Sequence, residues 1–246
     1  MNVFLKLAYL FFIGSTLGWV AEVIFRRFFS SANPERKWIN PGFCVGPYVP
    51  LYGSGLCILY LLASADGARI FSGTGGRILL IVCMAACMTA IEYVAGITSW
   101  KVTHVRLWDY SREWGNIQGL ICPKFSLVWA AASAAYYFGV HPYILDALHW
   151  LSENLAFCFV IGFFFGVFCI DVVYSAKLLA KLRAFAEEHQ IDIRLETLRE
   201  QVRRSRAAHH EKPHFLFSFR TVRPITEHLR ESREAWIERR RKKQEK

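Results

Sequence analysis

Charged side chains are scarce over residues 1–176, which contain only 11 Lys and Arg and nine Asp and Glu. Hydrophobic residues make up 54% of the 246-residue chain, so the low hydrophobicity typical of disordered proteins is absent. Residues 177–246 differ sharply, since they contain 19 Lys and Arg and 11 Asp and Glu. We therefore predict a transmembrane domain over residues 1–176 and a basic, helical cytoplasmic tail over residues 177–246.

Several motifs that carry chemistry are also missing. The phosphate-binding pattern Gly-x-x-x-x-Gly-Lys-Ser/Thr does not occur, so we expect no ATP hydrolysis by the chain itself. Cys83 and Cys87 lie one helical turn apart without a His or carboxylate at ligand spacing, so we expect no metal and no other cofactor. No nucleophile with a neighbouring base stands out, and no nucleic-acid recognition fold accompanies the basic tail. We therefore assign no catalytic residues and do not expect nucleic-acid binding, while catalysis by the carboxylates described below stays an alternative.

Long apolar runs dominate what is present. A membrane-spanning helix needs about 20 mostly apolar residues. Five segments approach this length, the second and fourth being short: Val3–Phe25, Tyr48–Ser64, Ile78–Trp100, Phe125–Val140 and Leu155–Ala176. We predict an all-α, polytopic bundle of about five transmembrane helices, with Pro142–Leu155 as an amphipathic surface helix.

The distribution of basic residues among the loops predicts the orientation. The first and third loops each carry four Lys or Arg, the second carries two and the fourth carries none. Because cytoplasmic loops are enriched in basic residues, we place the first loop, the third loop and the C-terminus in the cytoplasm and the N-terminus outside. We expect a multi-pass protein of the plasma membrane.

Three carboxylates fall inside the predicted spans. Glu22, Glu92 and Asp171 all lie in the cytoplasmic half of the bilayer under this topology. An ionisable group at membrane depth is costly, so these side chains should converge inside the bundle or line an aqueous cavity.

Two cytoplasmic loops supply candidate partners for these carboxylates. The first loop is rich in Gly and Pro, which precludes a regular helix through most of it and indicates a re-entrant or cavity-lining segment. We expect Arg106 and Arg112 of the third loop to pair with buried carboxylates. The predicted polar cluster comprises Glu22, Glu92, Asp171, Arg106, Asp109, Tyr110, Asn116, Trp19 and Tyr52, with loop backbone from Gly42, Gly46, Pro47, Pro50 and Gly53. Three roles stay open for it: a salt-bridged lock between helices, a transport or ligand site, and catalysis.

Four ordered pieces resemble one family. They are Leu17–Glu22, Pro41–Gly53, Glu92–Tyr93, and Arg106–Ser111 followed by Asn116 and Gly119. Together they resemble the CmpB-like family of bacterial membrane proteins described as "Putative ABC-transporter type IV". Val49 and Trp100 depart from the resemblance, since the family often has cysteine and an acidic residue at these places. The resemblance implies a permease component that works with a separate cytoplasmic ATPase subunit.

The functional hypothesis is therefore an ABC-transporter-type permease component with a polar site on the cytoplasmic side of the bundle. A membrane-embedded enzyme acting on lipid-linked substrates and a noncatalytic scaffold with a partner-binding tail are the alternatives. The expected partners are the lipid bilayer, the ATPase subunit and a second copy of the chain. Anionic lipid is expected at the tail, where Phe215–Phe219 precede Arg220 and Arg223.

Overall fold

The computed structural model describes residues 2–30, 33, 35–65, 71, 73–189, 192–208, 227 and 230, and over these the chain is mostly helical. The predicted lipid-contacting segment 215–223 lies outside the described residues. The described elements are α1 (Val3–Phe28), α2 (Pro50–Ala63), α3 (Gly73–Thr103), β1 (Val105–Arg106), α4 (Pro123–Ala135), a π-helix (Tyr136–Val140), α5 (His141–Glu153), a 3-10 helix (Leu155–Phe157), α6 (Cys158–His189), β2 (Ile193–Arg194) and α7 (Leu195–Ala208).

Three of the described helical segments are long and apolar enough to cross a membrane. They are Val3–Phe28, Gly73–Thr103 and Leu155–His189. The second and fourth predicted spans correspond to shorter helices, α2 with 14 residues and α4 with 13. At a rise of 1.5 Å per residue, a helix of this length covers about 20 Å, less than the roughly 30 Å of hydrocarbon. The structure thus supports three spans by length, and α4 continues through the π-helix into α5 without a break.

Glycine permits the close packing of α1 against α2. A Cβ atom at Gly14 would lie 2.9 Å from the Leu56 Cβ atom, and one at Gly18 would overlap the Tyr52 side chain. On the opposite helix, a Cβ atom at Gly53 would overlap the side chain of Ser15. Small residues of this kind let two membrane helices approach closely. The close approach brings Tyr52 beside the C-terminal half of α1.

The main hydrophobic core lies at the far end of the bundle, where α1 begins and α2 ends. It includes Leu10 and Leu80, which are fully buried. One face of α5 contributes Ile144, Leu148 and Leu151 to this core at helical spacing. This agrees with the amphipathic helix predicted over Pro142–Leu155.

A second, smaller core lies at the other end of the bundle, which we call the loop end. Here the first loop (residues 29–49) and the third loop (residues 104–122) meet the segment that follows α6. The residues of this core come mainly from β1, α6, β2 and α7: Val105, Leu182, Phe185, Ala186, Ile193, Leu195, Leu198 and Val202. Strand β1 pairs with β2 in parallel, with Val105 opposite Ile193. Part of the basic tail therefore folds back onto both loops.

The α1–α2 contact gives a direct test of the packing. We expect Gly18→Ala to lower the thermal unfolding midpoint of the detergent-solubilised protein, because the new methyl group forces Tyr52 away at a cost of about 1–3 kcal/mol. Intrinsic tryptophan fluorescence during heating measures the midpoint.

The matched control is Gly162→Ala on α6, where the new Cβ atom would meet no described atom within 4 Å beyond its chain neighbours and the nearby backbone of its own helix. Replacing Gly by Ala inside a helix favours the helix by up to about 1 kcal/mol, so this variant should keep or raise the midpoint. Equal midpoints for the two variants would show that the glycine contact between α1 and α2 is not close.

Candidate functional site

Glu92 occupies an enclosed position on α3, where its relative exposure is only 4%. Its Oε1 atom accepts a hydrogen bond of 2.9 Å from the Tyr110 hydroxyl, and its Oε2 atom accepts one of 2.9 Å from the Trp129 indole Nε1. Both donors are neutral, and no Lys or Arg among the described residues forms an ion pair with Glu92. The third loop and α4 are therefore both attached to α3 through one buried carboxyl group.

Glu22 lies close to Glu92 but has a cationic partner. Its Oε1 atom accepts from Arg26 Nε at 2.9 Å, one helical turn along α1, and its Oε2 atom accepts from the Tyr52 hydroxyl at 2.6 Å. The Tyr52 ring lies 6.0 Å from the Trp129 ring between centroids, so Tyr52 and Trp129 connect the two acids. These contacts place the two carboxylates in the same part of the bundle. We call Glu22, Tyr52, Glu92, Tyr110 and Trp129 the paired-carboxylate site.

The third predicted carboxylate, Asp171 on α6, holds a different group of residues. Its Oδ1 atom accepts from the Val45 amide at 3.0 Å and from Ser175 Oγ at 3.1 Å. Its Oδ2 atom accepts from the Gly46 amide at 2.7 Å and from the Tyr48 hydroxyl at 2.5 Å. Both oxygens of Asp171 therefore bind the first loop or Ser175, and in the described residues Asp171 shares no hydrogen-bond donor with Glu22 or Glu92.

The first loop follows an irregular path, as its Gly and Pro content predicted, and residues 38–49 contain no helix or strand. Asn40 organises it from within and is only 1% exposed. Its Oδ1 atom accepts from Trp19 Nε1 at 2.8 Å, and its Nδ2 group donates to the carbonyl oxygens of Cys44 and Val45, each at 3.2 Å. Trp19 thus belongs to the first loop's support rather than to the paired-carboxylate site.

The predicted backbone positions in and after the first loop have separate roles. Gly42 offers its carbonyl oxygen to Arg199 at 3.0 Å, and Gly46 donates its amide to Asp171. Pro47 follows Gly46 in the loop, Pro50 begins α2 and Gly53 lies against α1. Proline suits the first position of a helix because it has no amide hydrogen to leave unpaired.

The arginines of the third loop do not form the expected ion pairs with buried carboxylates. Arg106 and Arg112 were expected to pair with buried carboxylates, but Arg112 is exposed. Arg106 instead donates to the Gln118 carbonyl oxygen at 2.9 Å, and its guanidinium lies 4.0 Å from the centroid of the Trp100 ring. The prediction failed because the Trp100 ring of α3 and a carbonyl oxygen of the loop satisfy this guanidinium, whereas neutral donors satisfy Glu92.

Asp109 and Asn116 shape the third loop around Tyr110. Asp109 accepts from the amide of Ser111 at 3.0 Å and from its hydroxyl, and it pairs with Arg194 of β2 at 3.0 Å. Asn116 Oδ1 accepts from the Gly119 amide at 2.9 Å, and Tyr110 donates its own amide to the Gly119 carbonyl oxygen at 2.8 Å. These bonds fix the backbone from which the Tyr110 side chain reaches Glu92.

The ionisation states of loop residues follow from these contacts. Burial raises the pKa of Asp109, but hydrogen bonds from Ser111 and the charges of Arg194 and Arg106 outweigh it and lower the pKa overall. Burial and the nearby Glu92 raise the pKa of Tyr110, so its hydroxyl stays protonated and can donate. Burial, together with the charge of Asp171, raises the pKa of Cys44 to about 11.

Several residues of these networks were missed from the sequence. Trp129 and Tyr48 carried a usable signal, since a buried indole or phenol in a predicted span must find a hydrogen-bond acceptor. Asn40 could have been found similarly, as an amide inside a loop expected to be shielded. Arg194 and Arg199 gave no such signal, because their contacts depend on how the tail returns to the loops.

Asp171 provides a test of how the first loop is held. We expect Asp171→Asn to lower the free energy of unfolding by about 1–3 kcal/mol, because the new amide group cannot accept the bonds that one carboxylate oxygen accepts. Thermal unfolding measures the stability, and mass spectrometry should show faster alkylation of Cys44 in the loosened loop.

Asp146→Asn on the exposed face of α5 is the control and should change neither measurement. If Asp171→Asn protects Cys44 as well as the wild-type protein does, Asp171 does not hold the first loop.

Residues 9–176 match the family model described as "Putative ABC-transporter type IV". The match includes Glu22, Glu92 and Asp171 together with both loops, and it ends before the segment that folds back as β2 and α7. No curated protein and no solved structure matches the chain. Because the family model spans more than half of the chain, the protein belongs to the family described as putative ABC-transporter type IV.

Proposed function

We propose that the chain is the permease component of an ABC-type transporter in the plasma membrane and that the paired-carboxylate site lies on its substrate pathway. One observation carries the proposal: Glu92 is buried in a long apolar helix, its oxygens accept hydrogen bonds from two neutral donors, and Glu22 lies in the same cluster of contacts. A carboxyl group at such a place is costly and marks ion or substrate pathways in membrane proteins. A purely structural contact between α3 and α4 would not require it.

The charge of the site favours a positively charged substrate. Glu22 and Glu92 supply two carboxylates, and Arg26 is the cation that pairs with Glu22. The rings of Tyr52, Tyr110 and Trp129 surround the acids, and aromatic faces attract cations while tolerating apolar groups. An anion would meet net repulsion in this setting.

The proposed topology keeps about five spans with the N-terminus outside and the C-terminus in the cytoplasm. The loop end supports it, since the first loop, the third loop and the segment after α6 share one hydrophobic cluster and must lie on the same side of a membrane. The basic residues of these three regions then face the cytoplasm. In this arrangement α2 is a short span completed by neighbouring loop residues, and the π-helix that follows α4 extends the fourth span.

The remaining partners follow from the same proposal. A separate cytoplasmic ATPase supplies ATP hydrolysis, since the chain has no phosphate-binding motif of its own. A second copy of the chain completes the pathway, and the basic tail contacts anionic lipid.

Purification in mild detergent tests the permease assignment. We expect an ATPase subunit to co-purify with the tagged chain and the eluate to hydrolyse ATP. Glu92→Gln should retain the subunit but reduce hydrolysis in lipid nanodiscs toward the level of the isolated ATPase, because the change removes a charge from the substrate pathway. ATP turnover and mass spectrometry of the eluate are the measurements.

Glu153→Gln, at an exposed carboxylate on α5, is the matched control and should behave as the wild type. An eluate without any ATPase would contradict the permease assignment. Altered membrane lipids in a deletion strain would instead favour the enzyme alternative.

Fusions to alkaline phosphatase test the topology. The phosphatase needs disulfide bonds and is active only outside the cytoplasm. We expect activity when it follows Ser64 or Glu153 and none when it follows Trp38 or Lys246. An inactive fusion at Ser64 would show that the short helix α2 does not span the membrane as proposed, and an active fusion at Lys246 would contradict the cytoplasmic C-terminus.

A further inference from the structure

The first loop is held between a buried carboxylate and the returning tail. On one side, the amides of Val45 and Gly46 donate to Asp171 at 3.0 and 2.7 Å. On the other, the guanidinium of Arg199 donates to the carbonyl oxygens of Pro41 and Gly42 at 3.4 and 3.0 Å. Arg199 is only 9% exposed, so this charge is buried against the loop backbone. The loop therefore cannot shift without changing one of these two attachments.

The third loop is held in the same way, by two consecutive residues. The Tyr110 hydroxyl donates to Glu92 at 2.9 Å, while the preceding residue, Asp109, pairs with Arg194 at 3.0 Å. Strand pairing adds backbone contacts at the same place, since Val105 lies opposite Ile193 and the Ile193 amide donates to the His104 carbonyl oxygen at 2.8 Å. A movement of Arg194 would thus displace Asp109 and, with it, the adjoining Tyr110 that donates to Glu92.

Both arginines belong to one short segment. Residues Asp192–Arg203, which we call the latch, comprise β2 and most of α7. Leu195, Leu198 and Val202 lie on one face of this segment and are buried against α6 and β1. Arg194 immediately precedes α7 and Arg199 lies within it, so a movement of this helix displaces both arginines from their loops. Further bonds at its ends join Asp192 to Trp100 at 2.9 Å and Arg203 to Glu35 at 3.1 Å.

We propose that the latch is a conformational device that holds both loops closed and releases them together, so that its position is coupled to the surroundings of Glu92 and Asp171. Coupling of this kind is reciprocal: whatever stabilises the open loops also releases the latch, and a partner that binds α7 only in its released position opens both loops. The proposal does not depend on the permease assignment, since it concerns only contacts within the chain.

Two native cysteines allow the proposal to be tested without introducing reporters. Cys44 lies in the first loop and is partly buried, and Cys122 lies at the end of the third loop and is 2% exposed. The rate at which each thiol reacts with N-ethylmaleimide measures how often its loop opens, provided that reclosing is faster than the reaction. Peptide mass spectrometry separates the two sites within the full-length protein.

The decisive result is an effect that crosses from one loop to the other. We expect Arg194→Gln, which removes a contact to the third loop, to accelerate alkylation of Cys44 in the first loop about two- to fivefold, as for a partly exposed ion pair. We expect Arg199→Gln, which removes a contact to the first loop, to accelerate alkylation of Cys122 by roughly tenfold, as for a buried charged donor. Arg194→Lys keeps the charge facing Asp109 and should restore most of the protection.

Arg183→Gln is the matched control, because Arg183 forms an exposed ion pair with Glu187 within α6. It should leave both rates unchanged. If each latch variant accelerates only the cysteine of the loop it touches, the loops open independently and the proposal is overturned. The thermal midpoint shows whether a variant has unfolded. If Arg199→Gln unfolds, the difference in Cys44 alkylation between Arg194→Gln and Arg194→Lys still shows whether the loops are coupled.

Discussion

A carboxyl group buried among apolar helices must find hydrogen-bond donors, and this requirement organises the loop end of the molecule. Asp171 obtains its donors from the backbone of the first loop and from Tyr48. Glu92 obtains its donors from Tyr110 and Trp129. Burying such a group without partners would cost several kcal/mol or force it to become neutral. The positions of the first and third loops are therefore consequences of where the two acids lie on α3 and α6.

Other parts of the structure support the attachment of the first loop to Asp171 and of the third loop to Glu92. Gly18 brings Tyr52 close enough to α1 to bind Glu22, and so places a second carboxylate beside Glu92. The tail then covers the loops from the other side through the latch and the small core around Leu182. If the chain is a permease, as proposed above, its substrate pathway would pass between these loops. Transport would then require the loops to adopt a closed and an open conformation, and docking and release of the latch would provide them.

The sequence predicted the parts of this account that depend on composition. The apolar runs predicted the helices, the Gly and Pro content predicted an irregular first loop, and the cost of membrane burial identified Glu22, Glu92 and Asp171. The hydrogen-bond partners of the acids were harder to predict, because any nearby donor can serve. Arg106 donates to a carbonyl oxygen of its own loop, and Trp129 donates to Glu92. The return of the tail could not be predicted, since the pairing of Val105 with Ile193 joins residues far apart in the chain.

Hydrogen exchange at the amides of Val45 and Gly46, in the wild-type protein in lipid nanodiscs, tests the central claim most directly. These amides belong to a loop without helix or strand, and only their bonds to Asp171 would keep them from exchanging. The account predicts that both exchange slowly, on the timescale of the amides in α2. Exchange as fast as in an unstructured peptide would contradict it, because the buried carboxylate would then not be holding the loop.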